Sequence, residues 1–82
     1  MKNLTKDAVK EAAEHLIEAF GTTTTLDVKN RLRQVGFQAF QAEVSDFMDI
    51  LTSEEQWRFN HNGRYRVYRF GPDSCYTFHK YL

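Results

Sequence analysis

The chain has 82 residues, with eleven basic and eleven acidic side chains and a formal net charge of zero. A chain this short buries roughly 60–65% of the surface it exposes when unfolded, which allows one core and no second lobe to frame a deep substrate cleft. Cys75 is the only cysteine, so an intramolecular disulfide is excluded, and the reducing cytoplasm is the expected compartment for so small a domain without bridges.

A first helix is predicted from about Thr5 to Phe20. Val9, Ala12, Ala13, Leu16, Ile17 and Phe20 recur at helical spacing and make one apolar stripe. Thr5 suits the N-cap, Asp7 the positive helix end and Gly21 the left-handed position after the last turn. The run Thr22 to Thr25 is β-branched and predicts a short strand, with Thr24 or Thr25 capping the next helix. That second helix is expected from about Leu26 to Val35, with Val28, Leu32 and Val35 inward and Gly36 ending it. Lys29 and Arg33 fall on its opposite face.

Phe37-Gln38-Ala39 has room only for a tight turn. A third helix then runs from about Phe40 to Thr52, with Phe40, Val44, Phe47, Met48 and Leu51 inward and Ala42, Ser45, Asp46, Asp49 and Ser53 outward. Two amphipathic helices joined by so short a turn form a helix-turn-helix arrangement.

Residues 56–70 predict a β-hairpin. A two-residue turn at Asn62-Gly63 would mix apolar and charged side chains on one face. A three-residue loop, His61 to Gly63, pairs Phe59 with Tyr65 and Trp57 with Val67, and puts Gly63 at the left-handed bulge position. That register gives one apolar face and one basic face made of Arg58, Asn60, Arg64 and Arg66. Gly71-Pro72 breaks the strand, and Asp73 to Leu82 form a short aromatic tail that packs back on the domain or frays. The whole, residues 1–82, reads as one domain with its core at about 5–70.

Charge falls in blocks. Residues 26–37 hold Lys29, Arg31 and Arg33 against Asp27. Residues 38–55 hold Glu43, Asp46, Asp49, Glu54 and Glu55 and no base, while residues 56–70 hold Arg58, Arg64, Arg66 and Arg69 and no acid. Catalytic constellations are missing: His15, His61 and His79 share no close spacing, and Cys75 with His79 is half of a zinc-like set without the other two ligands. The glycines are isolated terminators, not a phosphate loop. No cofactor, metal, small-molecule substrate or enzymatic activity is expected. The stretch Met1 to Asp7 lacks the apolar run of a signal peptide, and nothing approaches the ~20 apolar residues that span a bilayer, so no membrane is expected as a partner.

Helix, short threonine strand, helix, turn, helix and hairpin, carried by Thr23–Val35, Phe40–Thr52 and Trp57–Phe70, resembles the winged helix-turn-helix superfamily over residues 5–70. The resemblance implies an α+β fold of three helices with a C-terminal hairpin wing, and binding of DNA, with a regulatory role in transcription. In such domains the third helix enters the major groove and the wing touches backbone or minor groove. Carried over, Gln38, Gln41, Ala42, Ser45 and Asp46 would face bases, Lys29 and Arg33 phosphates, and Arg58, Arg64 and Arg66 with His61 and Asn62 would form the wing contact.

The third helix departs from that pattern, carrying Glu43, Asp46 and Asp49 with no Lys or Arg. Acids aimed at a groove oppose phosphate. The alternative is a protein-interaction or self-association module that docks a basic partner surface on Ala42, Asp46 and Asp49. A third reading leaves the acids solvated or paired with the hairpin arginines.

Overall fold

The computed structural model describes residues 2–71; the predicted tail from Asp73 to Leu82, with Cys75 and His79, lies outside the described residues. Chain order is α1 (Lys6–Phe20), β1 (Thr23–Thr24), α2 (Thr25–Gln34), α3 (Gln41–Glu55), β2 (Arg58–His61) and β3 (Arg66–Arg69). The architecture is α+β, three helices against a three-stranded antiparallel sheet ordered β1-β3-β2.

The helix ends obey local chemistry. Thr5 is extended, and its side chain accepts from Ala8 N, satisfying one of the free amides of the first turn of α1. Gly21, at φ 85°, closes the same helix by donating its N–H to the Ile17 carbonyl. Thr24, not Thr25, caps α2 by accepting from Asp27 N at 3.1 Å. The third helix has no side-chain cap and runs to Glu55, three residues beyond the expected end at Thr52. Gln56 terminates it in the left-handed region, at φ 58°.

One core joins all three helices to the sheet. Val9, Ala12 and Ala13 of α1, Val28 and Leu32 of α2, and Val44, Met48 and Leu51 of α3 are buried together with Ala39, Trp57 and Tyr68. Fully burying a Val, Leu or Met side chain stabilises the fold by ~1.5–3 kcal/mol, so this cluster dominates the energetics. Trp57 takes its expected place in the core, its ring 6.4 Å from that of Phe70. Phe20, Val35 and Phe40 do not: all three, expected inward, are exposed, Phe20 most of all at 77%. Each stands at a helix end, where the apolar stripe outruns a core this small.

The hairpin register also differs from expectation. Phe59 pairs with Tyr68, Asn60 with Val67 and His61 with Arg66, leaving the four-residue loop Asn62 to Tyr65. Neither Phe59 with Tyr65 nor Trp57 with Val67 is a pair. The cause is visible at both ends. Asn62 Oδ1 accepts from Arg64 N and Tyr65 N, both at 3.1 Å, and Asn62 N donates to the Tyr65 carbonyl, while Gly63 takes φ 93°. At the other end Tyr68 is fully buried and pairs with buried Thr23 across β1. Tyr65, expected in the core, is therefore half exposed in the loop, and Phe59 is 44% exposed.

An N-terminal contact that no sequence pattern announces completes the fold. Lys2 forms a parallel bridge with Phe37: its N–H donates to the Gly36 carbonyl, its own carbonyl accepts from Gln38 N, and its ammonium stands 5.2 Å from the Phe37 ring centre. The α2–α3 turn is thus braced from outside.

Candidate nucleic-acid interface

Directly opposed residues of an antiparallel pair share a face, and the faces alternate along each strand. Thr23 and Tyr68 are buried, so their face, with Phe59, His61 and Arg66, is the helix side of the sheet. Arg58, Asn60, Val67 and Arg69, with Thr24, occupy the outer side. The predicted basic face of Arg58, Asn60, Arg64 and Arg66 is thereby corrected. Arg66 leaves it, and Arg69, which the sequence pattern did not place there, joins it.

On the outer face Arg58 and Arg69 are Cα partners. Among the described residues no acidic side chain lies within ion-pair range of Arg58, Arg64 or Arg69. The Asn60 amide, turned with its oxygen toward Arg69, accepts from Arg69 Nη1 at 2.8 Å and props that guanidinium on the outer surface. Arg64 lies exposed in the loop. Like charges placed directly opposite one another disfavour a strand pair, so the Arg58–Arg69 pairing is unexplained by stability.

Arg66 has a different setting. Its guanidinium stacks 4.7 Å from the centre of the Phe59 ring and forms an ion pair with Asp49 of α3. Its pKa is raised above the ordinary arginine value, first by the adjacent Tyr68 hydroxyl and then by Asp49. The Tyr68 approach is not a well-formed hydrogen bond, however, and the buried hydroxyl has no hydrogen-bond partner among the described residues. Asp49, one of the outward acids of α3, is thus paired with a hairpin arginine.

The remaining sequence-derived candidates divide between structural and exposed positions. Arg33 Nε donates to the Ala39 carbonyl at 2.9 Å and closes the α2–α3 connection, which commits it to the fold. Asn62 holds the hairpin loop with its side-chain oxygen, and His61 Nδ1 accepts from Gly63 N at 3.1 Å. Lys29 and Ser45 are half-buried, while Gln38, Gln41, Ala42 and Asp46 are exposed. Glu54 and Glu55, at the far end of α3, pair with Lys6 and Lys10 of α1 at 2.8 and 3.3 Å. Glu43 and Asp46 have no ion-pair partner among the described residues, and the exposed Ile50 lies on the same side of the helix.

Among the described residues no three His, Cys, Asp or Glu side chains are grouped to hold a metal ion, and no helix is long and apolar enough to cross a membrane. Shallow grooves between α1 and α2 meet at His15 and Arg31. The exposed His15 makes no hydrogen bond there. Comparison with protein-family models, with curated protein sequences and with solved structures gave no match.

Proposed function

We propose that the chain is a non-enzymatic winged helix-turn-helix domain that binds double-stranded DNA through the phosphate backbone, using the outer face of its hairpin. The order α1-β1-α2-α3-β2-β3, with β1 hydrogen-bonded to β3, supports the winged-helix reading. The observation that carries the functional reading is the cross-strand pair Arg58–Arg69, left without any acid in range. Two facing guanidiniums cost stability in the free domain and gain by straddling a phosphate. Arg64 extends the cationic surface to the loop, and Asn60 orients Arg69.

The helix α3 takes a lesser role than a recognition helix. Its two unpaired acids, Glu43 and Asp46, repel phosphate, and Arg33 behind it is engaged with Ala39. Contact through the hairpin alone is sequence-tolerant. The test is titration with random-sequence duplex DNA at several salt concentrations. Each phosphate contact contributes ~0.9 to the slope of log affinity against log salt. Arg58→Ala with Arg69→Ala is expected to lower the slope by ~1.8 while leaving the domain as stable or slightly more so. An unchanged slope in a folded double variant overturns the reading.

A second reading rests on Ile50, which is 45% exposed on the side of α3 that carries Glu43 and Asp46. An apolar residue one turn beyond the unpaired Asp46 suits a protein partner with a basic surface. Glu43→Gln with Asp46→Asn would slow association with such a partner, and would strengthen DNA binding under the first reading.

A further inference from the structure

Four arginines occupy the hairpin, yet they are not equivalent. Three of them, Arg58, Arg64 and Arg69, have no acid in range among the described residues. The fourth, Arg66, is turned to the helix side of the sheet, is stacked on Phe59 and is paired with Asp49 on α3. We propose that Asp49 is an internal competitor for nucleic acid: it holds Arg66 against α3 and keeps that arginine, on the helix side of the hairpin and apart from the outer-face pair Arg58–Arg69, from making a further phosphate contact. This rests on the hairpin being the nucleic-acid surface, and adds to it a built-in restraint on affinity.

The geometry carries the inference in two ways. The carboxylate occupies the position a phosphate oxygen would take on the guanidinium, since both are anionic acceptors matched to the same fork of N–H donors. The pair is also a surface pair, its side chains 39% and 51% exposed. Such pairs add little to the stability of the fold, so the carboxylate can be removed by substitution without unfolding the domain. Phe59 keeps the Arg66 guanidinium in place when Asp49 is gone, because the stacking contact comes from β2 and not from the helix. The arginine would then stand preorganised between the hairpin and α3.

The experiment is a double-mutant cycle read by the salt dependence of duplex DNA binding. Asp49→Asn is expected to steepen the slope by ~0.9, so that its advantage over the native chain shrinks about three- to fourfold between 50 and 200 mM salt. Arg66→Ala alone is expected to leave the native slope unchanged, and to cancel the gain when combined with Asp49→Asn. Asp46→Asn removes the same charge from the same helix without releasing an arginine, and is expected to raise affinity with less change in slope. The restraint is overturned if Arg66→Ala flattens the native slope as Arg58→Ala does, or if Asp46→Asn and Asp49→Asn behave alike. A separate readout uses linear polyphosphate and the side-chain N–H resonances of the arginines. Arg66 should respond in Asp49→Asn and stay still in the native chain, and any other pattern at Arg66 overturns the proposal. A silent Arg58 and Arg69 would instead overturn the reading of the hairpin.

Discussion

The guanidinium of Arg33, near the end of α2, donates from Nε to the carbonyl of Ala39, six residues on and just before α3. Ala39 is buried, so its carbonyl needs a partner that the tight α2–α3 turn does not supply from the backbone. Removing the donor with Arg33→Ala should cost ~1–2 kcal/mol, the range for a hydrogen bond from a charged group that is partly solvated. Urea denaturation measures it. The same variant should leave the salt slope of DNA binding unchanged, which separates a brace from a phosphate contact.

Tyr68 supplies a prediction of the opposite sign. Its ring is fully buried between Thr23 and Phe59, with the Phe59 ring centre 6.1 Å away, but its hydroxyl has no hydrogen-bond partner among the described residues. A buried polar group left unsatisfied costs ~1–3 kcal/mol. Tyr68→Phe keeps the ring and removes the hydroxyl, and should stabilise the domain by ~0.5–1.5 kcal/mol in thermal melts. A loss of stability would mean that the hydroxyl is satisfied through Arg66 after all.

The parts of the fold legible in the sequence are those that periodicity governs. Val9, Ala13 and Ile17, then Val28 and Leu32, then Val44, Met48 and Leu51 recur at helical spacing, and all are buried. The caps Thr5 and Gly21 were equally readable, because they act within one turn of the chain. The hairpin register was not. Trp57, Phe59, Tyr65 and Val67 alternate more cleanly than the face that in fact turns inward, which carries His61 and Arg66 beside Phe59 and Tyr68, so the pattern favoured a register the chain does not adopt. The choice falls to Asn62, whose side chain holds a four-residue loop, and to Tyr68, whose burial depends on β1 pairing alongside β3. Both contacts are tertiary or specific to the turn. The observed pairing is shifted by three residues from the expected one, with Phe59 opposite Tyr68 and not Tyr65. An odd shift moves every side chain of the strand to the other face, which is why Arg66 and Arg69 exchanged roles in the candidate site.

Glu14 gives a pH dependence. Burial raises its carboxyl pKa above the ordinary value; Lys10 opposes this, and Glu55, Glu18 and Glu11 add to it. A carboxyl whose folded pKa is raised binds its proton more tightly in the native state, so its contribution is unfavourable above that folded pKa and vanishes below the unfolded one, near ~4.3. Glu14→Gln should therefore be slightly stabilising at pH 7, within about 0.5 kcal/mol because the side chain is only partly buried and solvent screens its charge. The advantage should disappear as pH falls below ~4. Melting temperatures of both chains across pH 3–8 test it, and an advantage that grows toward acid would refute the assignment.

The junction between α3 and the hairpin links two backbone positions with opposite requirements. Gln56 ends α3 at φ 58°, a left-handed conformation that side chains other than glycine adopt at a cost. Gly71 has an unremarkable backbone angle, but a Cβ built on it would lie 2.2 Å from the Gln56 carbonyl oxygen. That oxygen belongs to the backbone of the helix terminus and cannot swing aside. Gln56→Gly should relieve the strained angle and stabilise by ~0.5–1 kcal/mol, the gain reduced by the greater freedom of glycine in the unfolded chain. Gly71→Ala should destabilise by ~1–3 kcal/mol or more, because the added methyl forces the strand away from the helix end. Trp57 is the next residue after Gln56 and is buried against Phe70, so the displacement should also appear as a change in tryptophan fluorescence in the folded variant. The two substitutions touch the same contact, and combining them should give less than the sum. If Gly71→Ala is neutral and leaves the fluorescence unaltered, the chain leaving β3 does not approach the end of α3 this closely, and the packing that sets the hairpin against the helices is wrong.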